Sequence, residues 1–209
     1  MFWHYCVAVG CVWLSSGFSI AQEFRPRGQS GASTGSSQAA ANVRPSQNNW
    51  NRTAPDELPS ERVQQSGSPV SQDLLQIYAQ TKQVRSESDV TSIARFCARV
   101  VSSNERSKID QDYASSLLAW ALNRRGEMRS EQAENLVRAG RQESASKLDS
   151  QAADDFATAV QYAPDNWRHR HNFAISLAMK GDYPKAIAQL DQAIARNPQY
   201  ANAWFNRAE

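Results

Sequence analysis

The sequence predicts an all-α protein, an α-solenoid of helix-turn-helix repeats preceded by a disordered linker. Three observations carry this expectation. From Leu74 onward apolar residues recur at helical spacing, and no stretch shows strand alternation framed by hairpin turns. The C-terminal part matches itself at a fixed step of about 34 residues. Five of the eight prolines fall within residues 22–71, a tract without lysine or apolar periodicity, which leaves about two thirds of the chain to build one small core.

The chain opens with residues 2–20, which contain no acid, lysine or arginine. An apolar run over residues 5–14, then Ser19 and Ala21 as small residues, has the layout of a secretory signal peptide spanning 1–21. The expected cut leaves Gln22 as the new N-terminus and a secreted or periplasmic protein. The run is shorter than the roughly 20 residues of a membrane span, and an uncleaved anchor is the alternative. Cleavage removes Cys6 and Cys11 and leaves Cys97 alone among Ile93, Phe96, Val100 and Val101. A lone cysteine on an apolar helical face is expected to be a small buried hydrophobe, neither half of an internal disulfide nor a nucleophile.

Residues 22–71 form the expected linker. Residues 29–41 read QSGASTGSSQAAA, a flexible coil with too little apolar surface to offset chain entropy. Ser71 is placed to cap a first helix carrying Leu74, Leu75, Ile77 and Tyr78. Ser88 or Asp89 is placed to cap a second. A third is expected from about 110 to 125, with Tyr113, Leu117, Leu118, Ala121 and Leu122 on its apolar face and a stop at Gly126.

The internal step takes Pro164 to Pro198, Ala159 to Ala193, Phe156 to Leu190 and Ala152 to Ala186. These residues resemble the tetratricopeptide repeat, a helix-turn-helix unit of about 34 residues. The best copy spans 167–200. Phe173 and Ala174 stand at its Leu-Gly sites, Leu177 at its Tyr site, Gly181-Asp182-Tyr183 at its turn and Pro198 at its end. Ala174, Ala186 and Ala193 let two helices approach, while Phe173, Leu177, Ile187 and Leu190 fill between them. Asp182 and Pro184 suit the start of the second helix. Residues 73–106 make a degenerate helical pair and 201–209 a truncated repeat. The copy at 112–166 is expected to place Leu118-Ala119 at the Leu-Gly sites, to turn at Gly126 and to carry a 21-residue insertion around 127–149. That insertion is expected to extend the second helix as an arm, broken at Gly140, that docks a partner or packs in cis. The last helix, with Trp204 and Phe205, is expected to be cut short, as in an N-terminal fragment of a longer protein, and to self-associate.

The net charge of +2, from 23 Lys and Arg against 21 Asp and Glu, speaks against nucleic-acid binding. Walker, GxGxxG, CxxC and HExxH motifs are absent from the sequence. His169 and His171, two apart on a helix, point away from each other and flank Arg170, a poor metal site. No catalytic group, cofactor or metal is expected. The resemblance implies a non-enzymatic protein–protein interaction scaffold whose first helices line a concave groove for a peptide or protein partner. Mapped here, the groove residues are Ser116, Trp120, Asn123, Arg168, His171, Asn172, Ile175, Met179, Phe205 and Asn206. Arg168, Asn172 and Asn206 resemble part of the family's carboxylate clamp, but Ser116 and Trp120 stand where it needs a lysine and an asparagine. The groove would favour a peptide with an aromatic or aliphatic anchor and some acidic character. The alternatives are an envelope-assembly factor, or a recruitment module for a catalytic domain beyond residue 209.

Overall fold

The computed structural model describes residues 70–209, and these are all-helical, with seven α-helices and no strand among them. The helices are α1 (Gln72–Thr81), α2 (Glu87–Val101), α3 (Lys108–Arg138), α4 (Gln142–Tyr162), α5 (Trp167–Met179), α6 (Tyr183–Arg196) and α7 (Ala201–Ala208). The signal segment and residues 22–69 lie outside the described residues. Val70 and Ser71, expected at the end of the linker, are instead part of the folded unit. Val70 is buried. Ser71 does not cap α1 through its side chain; its Oγ and backbone N–H donate to Asp110 at 2.6 and 2.9 Å. That pair ties the chain to the start of α3.

Each boundary has a local cause. Ser86, not Ser88 or Asp89, caps α2. Its Oγ accepts from the Asp89 N–H while the Asp89 carboxylate accepts from the Ser86 N–H, a reciprocal capping box. Asp182 caps α6 and Pro184 sits in its first turn, as the sequence predicts. The turns after α4 and α6 are copies one period apart. Asn166 N–H donates to Ala163 C=O at 3.1 Å, and Tyr200 N–H to Asn197 C=O at 3.2 Å.

The middle repeat departs from expectation. Gly126 does not end α3; the helix continues to Arg138, and Gly126 is buried within it. A Cβ at this position would lie 2.6 Å from Cε1 of Phe156, a fully buried ring on α4. The glycine is there for close helix approach, not for a turn. The turn is at Gly140, where φ is +75°, a conformation that favours glycine. Arg141 N–H donates to Leu136 C=O and Gly140 N–H to Val137 C=O. The same pair of bonds closes α5 at Gly181, from Asp182 to Leu177 and from Gly181 to Ala178.

These contacts reset the repeat register. Gly126 faces Phe156 across α3 and α4, as Ala174 shares a core with Leu190 across α5 and α6. The chain between Gly126 and Phe156 is longer than that between Ala174 and Leu190 by two heptads, so the insertion is two heptads and not three. It is divided evenly. The step from Gly126 to Gly140 exceeds that from Ala174 to Gly181 by one heptad, and the step from Gly140 to Phe156 exceeds that from Gly181 to Leu190 by another. Each helix gains one heptad, about two turns. The arm therefore belongs to both helices and packs in cis, with Ala133 and Ala145 fully buried. The small residue facing the second helix is Gly126, not Ala119.

One core joins α1 to α4, with Leu74, Val90, Ile93, Cys97, Tyr113, Leu117 and Ala159 in it. Cys97 is buried, and burial pushes its thiol up to about 12, so it is inert packing. A second core holds Ala174, Leu190, Ile194 and Ala203. Ile187, expected between α5 and α6, is exposed instead. An ion network ties α2, α3 and α4 together. Asp155 accepts from Arg125 Nε and Nη2 at 2.9 and 2.6 Å and from Arg129 Nη1 at 2.9 Å, and Arg129 Nε reaches Glu87 at 2.8 Å.

Gly126→Ala should destabilise the chain by about 1–2 kcal/mol, because overpacking outweighs the helix propensity gained by alanine. In a Phe156→Leu background the same change should cost less, since the ring that blocks the Cβ is gone. Urea denaturation of the four chains measures both terms. A Gly126→Ala protein as stable as the parent would remove the close-approach explanation.

Candidate functional site

The groove residues come from the first helix of each unit: α3, α5 and α7. On α3, Trp120 is half-buried and packs against the N-terminal core. Ser116, also half-buried, spends its hydroxyl on the Asp112 carbonyl at 3.2 Å. One turn beyond Trp120, Asn123 is buried, and its Nδ2 donates to Glu127 Oε1 at 2.8 Å. Glu127 is buried too. Its Oε2 accepts from Arg124 Nη1 at 2.8 Å.

On α5, the Asn166 cap holds the Arg168 and His169 N–H groups, which fixes the entry to the helix. Arg168 lies over the Trp167 ring, 4.8 Å from its centroid. Asn172 crosses to α3: its Nδ2 donates to Asn123 Oδ1 at 3.0 Å and to Glu127 Oε1 at 3.1 Å. His171 crosses to α7, where Asn206 Nδ2 lies 2.9 Å from its Nε2. An amide donating to Nε2 places the ring proton on Nδ1, which then donates to Asn172 Oδ1 at 3.3 Å. Burial holds the His171 imidazole below its ordinary range, so it is neutral and this tautomer is self-consistent. The bonds run one way, from Asn206 through His171 and Asn172 to the Glu127 carboxylate.

Glu127, Arg168, His171, Asn172 and Tyr200 line a shallow cleft where the three helices meet. Tyr200 closes one side, 4.4 Å from the Trp167 ring and edge-on to His171 at 5.0 Å. Burial pushes the Glu127 carboxyl above the usual range, and the opposing pull of Arg124, Asn123 and Asn172 does not fully compensate.

The structure therefore joins four of the ten expected residues, Asn123, His171, Asn172 and Asn206, in one network, with Arg168 beside it. Ile175 is buried, Met179 is half-buried and Phe205 is exposed, each outside the hydrogen-bonded chain. Asn172 and Asn206, expected as clamp donors, are already bonded within the chain. Sequence reasoning missed Glu127, Arg124 and Tyr200. With Gly126 taken as a turn, Glu127 fell into the insertion; its spacing of four from Asn123 on a continuous helix was the signal. His169, buried with its imidazole pushed down to about 3, is neutral, and its Nδ1 has no hydrogen-bond partner among the described residues. Arg170 is turned to the Pro164 carbonyl and Gln189. Among the described residues no group of three metal-ligating side chains gathers.

Comparison with curated proteins and with solved structures finds no match. The family model of the TPR repeat matches residues 176–209, from the last turn of α5 through α6 and α7. The matched stretch is one repeat long, and with the helix-turn-helix geometry of α5, α6 and α7 it supports a tetratricopeptide repeat protein.

Proposed function

We propose that this chain is a non-enzymatic scaffold that holds a peptide or protein segment on the surface formed by α3, α5 and α7. A TPR repeat implies a protein–protein interaction module, which is the general part of the reading. The observation that carries the specific part is the hydrogen-bonded chain from α3 to α7, which aligns the first helices of three successive units. Arg168 lines the cleft beside it, Phe205, more than half exposed, precedes Asn206 on α7, and the half-buried Trp120 lies one turn before Asn123 on α3. Two aromatic residues and one cation on these first helices favour a segment that combines an apolar side chain with an acidic residue.

A displayed peptide library panned on the chain should enrich such sequences. Phe205→Ala and Arg168→Ala should each weaken the selected peptides about tenfold, the scale of a hot-spot residue. Lys147→Ala, on the exposed side of the α3–α4 arm, should leave them unchanged. Selected peptides indifferent to both groove substitutions would place binding elsewhere.

Self-association belongs to the same reading, supported by the exposure of Trp204 and Phe205 on α7. Sedimentation velocity should show association that Trp204→Ala weakens; a monomeric parent chain would exclude it.

Export is the proposed location, supported by the apolar run and small residues before Gln22. No helix among the described residues is long and apolar enough to cross a membrane. N-terminal sequencing of the exported protein should begin at Gln22, whereas a membrane-bound product retaining Met1 would favour an anchor.

A further inference from the structure

His169 and His171 are the histidines of the described residues, and both are buried on α5. Helices α5–α7 have a core of their own, with Ala174, Leu190, Ile194 and Ala203, separate from the core of α1–α4. Histidine is the side chain whose ordinary charge change falls between about pH 5 and 8. That sensitivity is therefore confined to the smaller of the two units.

Neither ring is placed to carry a charge. His171 accepts from Asn206 through Nε2 at 2.9 Å and donates to Asn172 through Nδ1 at 3.3 Å. Asn206 can turn its carboxamide to meet a second proton, but no carboxylate contacts the ring to balance the charge. His169 Nδ1 has no hydrogen-bond partner among the described residues, and the charge that acts on this ring is the like charge of Arg168. The carboxylates on the elements around α5 already have cations: Glu127 has Arg124 on α3, Asp155 on α4 has Arg125 and Arg129, Asp165 has Arg196, and Asp191 on α6 has Arg207 of α7. Arg170 is held by the Pro164 carbonyl and Gln189, and Tyr200, edge-on to His171, is pushed further from titration by burial. We propose that α5–α7 is an acid-released unit, in which protonation of His169 and His171 below neutral pH opens these helices away from the α1–α4 core and dismantles the surface formed by α3, α5 and α7.

The sign follows from burial. It holds His171 below its ordinary range and takes His169 to about 3. As pH falls through about 6.5, the open unit takes up two protons that the closed unit refuses, so closure weakens. Glu127, raised by burial, opposes this with one proton that it holds better closed than open. The two histidines outweigh it.

Hydrogen-exchange mass spectrometry on the full chain, corrected for the pH dependence of intrinsic exchange, tests the proposal. Between pH 6.5 and 5, protection across residues 167–208 should fall about tenfold relative to residues 87–125, the scale of one net proton. His169→Leu combined with His171→Gln should abolish that fall, and Glu127→Gln should steepen it. Equal protection of 167–208 at both pH values overturns the proposal, as does a double variant that loses protection like the parent. If the double variant does not fold, imidazole NMR signals of the parent decide. Both rings should stay neutral until the helices open, and a ring that titrates near pH 6.5 with 167–208 still protected overturns the proposal equally. No arm involves a peptide, so a failure here is distinguishable from a failure of the groove to bind one.

Discussion

A carboxylate taken out of water has to be satisfied by donors, and Glu127 imposes that requirement on three helices. Its acceptors call for the amide of Asn172, whose own carbonyl then needs a donor. His171 supplies it from Nδ1, which leaves Nε2 to accept from Asn206. Each member fixes the orientation of the next, so the network is satisfied as a whole or not at all. The alanine-lined contacts between the same helices set distance but little direction. The polar chain supplies direction and holds the first helices of successive units at one relative setting.

A second buried carboxylate, Asp155, works on the other side of α3. Arg125 and Arg129 both reach it, and Arg129 continues to Glu87 at the start of α2. Burying such a group gains little net stability over an apolar replacement, but losing one partner leaves the others uncompensated. Gly126 follows Arg125 on α3, and the close approach it permits keeps α3 and α4 near enough for the bonds to Asp155. α3 thus carries the N-terminal core on its first half, the arm on its second half, and Asn123 and Glu127 near its middle.

Much of this fold was legible in the sequence because the signals were chemical and local. Pro164 and Pro198 end helices wherever they stand, and the alanines recurring one period apart can only mean close packing. The failures share one cause. Glycine serves both as a turn former with positive φ and as a spacer inside a helix, and the sequence does not say which. Taking Gly126 for a turn moved the register by one heptad, assigned the small site to Ala119 and hid Glu127 from the groove. Only the facing ring of Phe156, on the next helix, distinguishes the two uses. Ser86 was passed over as a cap because the reciprocal partner, Asp89, was itself taken for one. Ile187 shows the limit of periodicity, which places a residue on a helix face without saying whether a neighbour covers it. In the groove, residue types were legible and their pairing was not, since the bonds join positions 35 to 49 residues apart.

The even division of the inserted segment bears on how such a chain can change. One heptad in a helix of about 3.6 residues per turn brings the side chains back almost to their starting azimuth. A heptad added to each arm of the hairpin also keeps the two helices level, so the turn glycine meets the same geometry further out. The arm can therefore lengthen in steps of about 10 Å while everything at its base stays in phase. A gain of two residues on one side alone would rotate Phe156 by roughly 200°, away from Gly126. Reach is a discrete variable in this architecture, independent of the packing beneath it.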